Sequence, residues 1–172
     1  MLALIKLVQN IVGSLNSQGT PGQMAAGIAL GSALGLTPLV NLHNLVVLAA
    51  GMLLNVSFPG VLLGWALFVP IGFAMDPLFH AIGRTLLIDT PALTPLWTAW
   101  FNTPVIPLTN FNNTIVLGSV IVWAVLYLPL FFALRWAITQ YRERIYARLR
   151  RARVFRVVTA SKLYNVYRLF RP

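Results

Sequence analysis

The sequence contains no cysteine and few charged residues, and both scarcities exclude whole classes of protein. Without cysteine the chain cannot form disulfides, thiolate metal sites or a cysteine nucleophile. Only 9% of its 172 residues are charged whereas 58% are hydrophobic, a balance that excludes a soluble globular chain and a disordered one. The composition is that of an integral membrane protein.

Acidic residues are the scarcest charged type, and the basic residues are unevenly placed. Up to Leu134 two basic and two acidic side chains sum to zero charge. From Arg135 onward eleven Arg and Lys accompany one acid, Glu143, so this end carries the whole net charge of +10. Because positive charge concentrates on the cytoplasmic side of membrane proteins, the pattern predicts a cytoplasmic C-terminus.

The apolar body contains short and long helical segments. Two short ones, 21–36 and 40–54, are separated by a Thr-Pro pair, and the first measures about 24 Å as a helix against about 30 Å for a bilayer core. They predict a re-entrant or tightly folded hairpin, with two tilted spans as the alternative. Longer apolar segments at 58–75 and 115–136 predict transmembrane helices.

The chain is therefore expected to be an all-α integral membrane protein with a short or re-entrant helical hairpin and two, or up to four, transmembrane helices. Residues 1–19 are predicted to form an N-terminal amphipathic interfacial helix, 20–136 the membrane domain, and 137–172 a basic amphipathic cytoplasmic tail. If the N-terminal helix lies on the cytoplasmic leaflet, the number of spans is even. Both termini of this multi-pass protein are then cytoplasmic.

Three glycines, Gly27, Gly31 and Gly35, recur at every fourth position of the first short segment. Small residues at this spacing let two helix backbones approach closely in lipid, where no hydrophobic force drives helices together. The ladder predicts a tight helix-packing interface. Its partner is either the second short helix of the same chain or another subunit.

Asn41, His43 and Asn44 form a polar group at the start of the second short segment. One interpretation is that the asparagines cap this helix and that His43 bonds to a backbone carbonyl. The other is a substrate or proton site at membrane depth, where polar side chains are costly and often functional. One histidine is too few for a metal, and we expect neither a metal site nor a cofactor.

Asp76, His80 and Arg84 are spaced four residues apart and so share one helix face. Asp76 precedes Pro77, which predicts a helix N-cap followed by an interfacial ion-pair ladder. A lipid headgroup site, with Arg84 on phosphate and His80 assisting, is the alternative. No serine lies at a recognisable spacing from these groups, and we expect the protein not to be an enzyme.

The basic tail has an apolar stripe at helical spacing, with arginines mostly on its other faces. This pattern predicts binding to anionic phospholipid of the inner leaflet. A docking helix for a protein partner is the main alternative, and nucleic acid is not expected because the aromatic residues fall on the apolar stripe. The candidate lipid-binding residues are Arg142, Arg144, Arg148, Arg150, Arg151, Arg153 and Arg156.

Several short motifs in register resemble a family of small bacterial inner-membrane proteins of unassigned function, over about residues 1–150. The matching stretches are Leu15-Asn16-Ser17, Thr20-Pro21-Gly22-Gln23, Gly35-Leu36-Thr37-Pro38-Leu39, Leu42-His43-Asn44-Leu45, Leu63-Gly64-Trp65-Ala66-Leu67-Phe68, Asp76-Pro77-Leu78-Phe79-His80, Pro95-Leu96-Trp97-Thr98, Phe101-Asn102-Thr103-Pro104, Phe111-Asn112-Asn113-Thr114 and Leu117-Gly118-Ser119.

The resemblance implies a place in the envelope of bacteria that have an outer membrane. Members of that family are often encoded beside a large envelope protein with one N-terminal span, similar to the AsmA-type bridges thought to carry lipid across the periplasm. It implies a non-enzymatic inner-membrane accessory subunit that anchors such a partner and loads phospholipid into it. The alternative is a stand-alone small transporter or channel that works as a homo-oligomer.

Overall fold

The computed structural model describes residues 19–38 and 40–146, with side chains up to residue 144, and these residues form helices and turns without a β-strand. Five α-helices follow one another: α1 Pro21–Leu36, α2 Leu42–Leu53, α3 Phe58–Leu87, α4 Thr94–Phe101 and α5 Thr114–Gln140. Short 3₁₀ helices at Pro91–Leu93 and Ile106–Thr109 and a π-helical turn at Tyr141–Tyr146 complete them. The all-α class predicted from the sequence is confirmed.

Helix α1 begins at a capping box. The Thr20 side chain accepts a hydrogen bond from the Gln23 backbone N–H, and the Gln23 side chain accepts one from the Thr20 backbone. Pro21 occupies the first turn, where its missing N–H costs nothing. The helix ends at Thr37 because the residue before Pro38 is held in an extended conformation.

Gln23 also joins the start of α1 to the start of α3. Its side chain donates to Asn55 Oδ1 at 2.6 Å, and its backbone carbonyl accepts from the Ser57 N–H at 3.0 Å. Ser57 in turn caps α3 by accepting from the Gly60 N–H at 3.3 Å. Helix α2 thus returns to the end of the molecule at which α1 begins, and the two form an antiparallel hairpin.

The three glycines of α1 all contact α3. A Cβ atom on Gly27 would collide with the Ser57 carbonyl, one on Gly31 with the Val61 carbonyl, and one on Gly35 would come within 2.8 Å of the Trp65 carbonyl. The contacts advance in the same direction along both helices, so α1 and α3 run parallel. The partner of the glycine ladder is therefore the third helix, rather than the second short helix or another subunit.

Helix α3 contributes its own glycines to this crossing. A Cβ on Gly64 would meet the Ile28 carbonyl, and one on Gly72 the Gly35 carbonyl, so each backbone lies directly against the other. The contact leaves α1 central, with most of its residues buried. Small residues on both helices are what allow a helix of 16 residues to be enclosed on most sides.

Helix α3 continues through Asp76-Pro77 as one helix of 30 residues, which corrects the prediction of a break there. Asp76 lies inside the helix and is not an N-cap. Beyond Pro77 the helix packs on α5, because Phe79 is fully buried and its carbonyl lies against Gly118. Gly83 lies against the Thr114 carbonyl in the same way, so α3 and α5 cross in opposite directions.

Among the described residues, two helices are long and apolar enough to cross a membrane, namely Phe58–Leu87 and Thr114–Arg144, in agreement with the two longer predicted segments. The first extends well past the predicted end at Met75. Because one or two such helices also occur in other classes of protein, this finding supports a membrane protein without fixing the number of spans.

The chain divides into two compact units, and the second, Trp136–Pro172, contains the end of α5 and the π-helical turn. Arg142 and Arg144 lie in that turn. The predicted helix of residues 1–19 lies almost wholly outside the described residues. So do the remaining arginines of the predicted lipid-binding tail, Arg148, Arg150, Arg151, Arg153 and Arg156.

Candidate functional site

The turn between α1 and α2 is held by buried polar side chains. Asn44 is 5% exposed; its Oδ1 accepts from Thr37 Oγ1 at 2.7 Å and its Nδ2 donates to the Pro38 carbonyl at 2.8 Å. The Thr37 hydroxyl also lies 2.8 Å from the Ala33 carbonyl. These bonds satisfy backbone and side-chain groups that would be costly to bury without a hydrogen-bond partner.

Asn41 occupies the N-cap position of α2, but its side chain makes no capping hydrogen bond. It turns back and donates to the Pro38 carbonyl at 2.6 Å. The expectation that both asparagines cap α2 is therefore wrong. They close the preceding turn, because the Pro38 carbonyl, at the end of α1, has no helical N–H to accept from.

A second connection joins the hairpin turn to the chain before α5. Asn110 Nδ2 lies 2.5 Å from Asn41 Oδ1 and 3.1 Å from the Val40 carbonyl. The His43 side chain makes a hydrogen bond with the backbone of Thr109. Its buried Nε2 has no hydrogen-bond partner among the described residues. Asn41 and His43, which the sequence grouped with Asn44, therefore bind an element about 70 residues away along the chain.

An apolar groove with a volume of about 760 Å³ lies beside this connection. Its size is within the range of about 300–1,000 Å³ that is usual for ligand sites. Asn41, Asn44 and Asn110 supply the polar side chains of the lining, and the rest is apolar. The apolar lining residues are Leu34, Val40, Leu42, Leu45, Leu48, Trp65, Pro107 and Leu108.

The groove opens at exposed apolar side chains. Val40 is 89% exposed, Leu45 63% and Leu108 64%, and all three lie on its lining. In water such a surface would be unfavourable, and its presence marks a site for an apolar ligand or a surface for lipid. Of the three predicted polar residues, Asn41 and Asn44 line the groove and His43 does not.

The predicted ion-pair ladder of Asp76, His80 and Arg84 does not form, because His80 and Arg84 contact other residues. His80 Nδ1 lies 2.7 Å from Thr114 Oγ1, where α3 crosses α5. Arg84 pairs with Asp89, at 3.6 Å between Nε and Oδ2. The shared face exists, but the contacts of His80 and Arg84 go to residues outside the ladder.

Replacing Asp89 with asparagine is expected to change the free energy of unfolding by less than about 1 kcal/mol, because exposed ion pairs are weak. The two side chains are 59% and 49% exposed. Thermal unfolding in detergent, followed by tryptophan fluorescence, measures the change. A loss well above that value would mean that Arg84 and Asp89 have a larger structural role than an exposed pair.

An aromatic cluster anchors the chain directly after Asn110. Phe111 is 6% exposed and lies 6.1 Å from the ring of Trp97 and 5.8 Å from that of Trp100. Trp97 donates its indole N–H to the Leu86 carbonyl at 2.9 Å. Helix α4 is thereby attached to the end of α3. Phe111 is buried in this cluster, whereas none of residues 105–110 is buried.

The sequence analysis missed Thr37, Pro107, Leu108 and Asn110 as parts of this site. Thr37 carried a signal, since a hydroxyl beside a proline turn often bonds backwards to the helix it ends. For the other three no local pattern indicates a contact with the hairpin. Asn110 lies in the left-handed region, with φ of 55°, where asparagine is favoured among non-glycine residues.

The fold and the groove define a small all-α protein with two helices of membrane-spanning length and an apolar ligand-sized site. The chain belongs to the family described as "Uncharacterized protein conserved in bacteria (DUF2062)", whose model matches residues 7–146. It is similar to an "Uncharacterized protein" of Treponema pallidum (strain Nichols), with 28% identity over 160 residues, which are 93% of this chain and 98% of that protein. No solved structure matches the chain.

Proposed function

We propose that this protein is a non-enzymatic, multi-pass subunit of the bacterial inner membrane that holds a phospholipid acyl chain in the groove and passes it to a large envelope protein. The observation that carries the proposal is the groove itself. Its lining is apolar except for three asparagines, and its rim consists of exposed apolar side chains. An acyl chain is the ligand whose chemistry such a lining accepts.

The proposed membrane arrangement has α1 and α2 as a re-entrant hairpin and α3 and α5 as spans. Helix α1 has 16 residues and α2 has 12, so they measure about 24 and 18 Å, less than the about 30 Å of a bilayer core. The basic C-terminal end favours a cytoplasmic location for the end of α5. Because α3 runs antiparallel to α5, α3 then begins on the cytoplasmic side. Helix α1 runs parallel to α3 and begins on the same side.

In this arrangement the groove lies in the outer leaflet of the inner membrane. A hairpin that enters from the cytoplasm and rises by about 24 Å brings its turn close to the far headgroup region. The asparagines of the turn then lie near the ester groups, and Leu34 and Leu48 lie deeper. Polar residues at one end and apolar ones along the groove match the two ends of a phospholipid.

The proposed recipient is a large single-span, AsmA-like envelope protein. The family resemblance suggests this partner, and the short hairpin suggests how lipid reaches it, since helices too short for the bilayer thin it locally. Anionic phospholipid is the expected ligand of the basic tail, of which Arg142 and Arg144 are described. No step of the proposal requires a catalytic group or a cofactor.

Replacing Leu45 with tryptophan is expected to lower the amount of phospholipid bound by the purified protein several-fold. Leu45 lines the groove and is 63% exposed, so the larger ring fills the site without entering the core. Native mass spectrometry of the protein in mild detergent counts the phospholipids retained on each chain.

Val46→Trp is the matched control. Val46 is the next residue of α2 and is 59% exposed, but it is not part of the groove lining. If both variants retain phospholipid as the wild type does, the groove is not its site. If the wild type retains none, the proposed lipid function is wrong.

Affinity purification at native expression level tests the partner. Stoichiometric recovery of one large envelope protein supports the accessory subunit. Recovery as a homo-oligomer alone favours the second candidate, a small transporter. The buried Nε2 of His43, which has no hydrogen-bond partner within the described part of the chain, supports this candidate. In that case His43→Ala is expected to abolish transport.

A further inference from the structure

The groove has one wall that differs from the others, namely the segment 105–110 between α4 and α5, called here the wall segment. Its Pro107 and Leu108 line the groove opposite the hairpin. The other walls belong to the α-helices α1, α2 and α3 or to the hairpin turn. The wall segment contains only the short 3₁₀ helix Ile106–Thr109.

Polar bonds rather than packing hold the wall segment against the hairpin. None of its six side chains is buried, and Val105 is 61% exposed. Its contacts with the hairpin include the two hydrogen bonds of Asn110, to Asn41 and to the Val40 carbonyl, and the bond between His43 and the backbone of Thr109. Segments with few buried apolar contacts open at low free-energy cost.

Both ends of the wall segment have an unusual backbone conformation. Val105 has φ of 75°, which is strained for a β-branched residue, and Asn110 has φ of 55°. Directly after it, Phe111 is held in the aromatic cluster with Trp97 and Trp100. The segment is therefore fixed beyond one end, at Phe111, and strained at the other, at Val105.

We propose that the wall segment is a gate that retains an acyl chain in the groove, which is open at its rim, and that the hydrogen bonds of Asn110 hold this gate against the hairpin. The proposal rests on the proposed lipid function of the groove. When the bonds of Asn110 break, the segment moves away from the hairpin, Val105 is released from its strain, and the groove loses the wall formed by Pro107 and Leu108. The acyl chain then exchanges sideways, without passing through the protein.

The absence of cysteine from the natural chain makes a reversible lock simple to build. In the double variant Asn41→Cys, Asn110→Cys, a short bis-methanethiosulfonate crosslinker joins the wall segment to the hairpin turn, and dithiothreitol releases it. The full-length protein is loaded with palmitoyl-oleoyl phosphatidylglycerol and transferred to vesicles of the deuterated lipid. Native mass spectrometry then follows the replacement of light by heavy lipid.

The matched control is the pair Gln23→Cys, Asn55→Cys, whose natural side chains also form a hydrogen bond, at 2.6 Å. It locks the base of the same hairpin, far from the wall segment along the chain. A third variant, Asn110→Gly, keeps the left-handed backbone and removes both hydrogen bonds of the side chain. Each variant without crosslinker serves as its own reference for folding.

The gate predicts that crosslinking 41 to 110 slows lipid exchange by about tenfold or more, because the low-cost local opening is blocked. Dithiothreitol restores the rate, and crosslinking 23 to 55 leaves it unchanged. Asn110→Gly speeds exchange by about fivefold or more, since one net hydrogen bond corresponds to about fivefold and the variant removes two.

Two results would overturn the gate, and they are distinguishable. If the locked protein carries lipid and exchanges it as fast as the reduced one, the gate is wrong and the lipid site stands. If no variant carries lipid in the groove, locked or open, the proposed function itself fails and the gate with it.

Discussion

Replacing Gly31 with alanine is expected to lower the free energy of unfolding by about 1–3 kcal/mol or more, although alanine is the better helix former. The added Cβ would collide with the Val61 carbonyl, so α1 and α3 have to separate. Neither side of the contact is a flexible side chain that could move aside. Thermal unfolding in detergent, followed by tryptophan fluorescence, measures the loss.

Gly22→Ala is the same substitution in the same helix and serves as its control. A Cβ there would lie 3.8 Å from Thr20 Oγ1, an ordinary contact. We expect no loss, and a gain of up to about 1 kcal/mol from the lower entropy of the unfolded chain. Equal losses in both variants would contradict the close contact between α1 and α3.

The glycines of α1 were predictable as a packing surface, but their partner was not. The spacing of Gly27, Gly31 and Gly35 identifies a face and carries no information about what covers it. Gly60 and Gly64 in α3 are also four residues apart, and this second signal is visible in the sequence. Pairing the two ladders would have predicted the α1–α3 crossing, since close approach needs small residues on both backbones.

The predicted break at Asp76-Pro77 was wrong because it considered only the local effect of proline and not the packing of the helix beyond it. Proline inside a helix costs about 3 kcal/mol, and aspartate before proline is a common helix start. Beyond Pro77, however, α3 buries Phe79 and brings Gly83 against α5. These contacts, with residues more than 30 positions away, favour continuing the helix and are invisible in the local sequence.

The two short helices and the Thr-Pro turn between them could be predicted because both depend on local chemistry: segment length and the restriction that proline places on the residue before it. The groove could not, because its walls come from four parts of the chain. Asn110 contributes through a left-handed backbone and a contact with Asn41 that no periodicity indicates. Sequence patterns therefore located the polar residues and misassigned what they bind.

Replacing Asn44 with aspartate is expected to cost about 3–5 kcal/mol at neutral pH, the usual penalty for an uncompensated buried charge. The two side chains have nearly the same shape, and Asn44 is 5% exposed. The carboxylate still accepts from Thr37, but it places a second acceptor against the Pro38 carbonyl, to which Asn44 donates at 2.8 Å. The hairpin turn then contains a repulsive contact and an unpaired charge.

The loss should shrink as the pH is lowered, because a protonated carboxyl group can donate to the Pro38 carbonyl again. Folding then favours proton binding, and stability that is present at low pH is lost as the pH rises. Asn41→Asp is the matched control: it also loses its donor to the Pro38 carbonyl and keeps its acceptor for Asn110, but its side chain is only half-buried. We expect a smaller cost, about 1–2 kcal/mol, because the charge stays partly solvated. Unfolding of both variants at acidic and neutral pH measures the difference. Equal costs would mean that burial of the hairpin turn does not control its stability, and the groove would lose the rigid wall that Asn44 gives it.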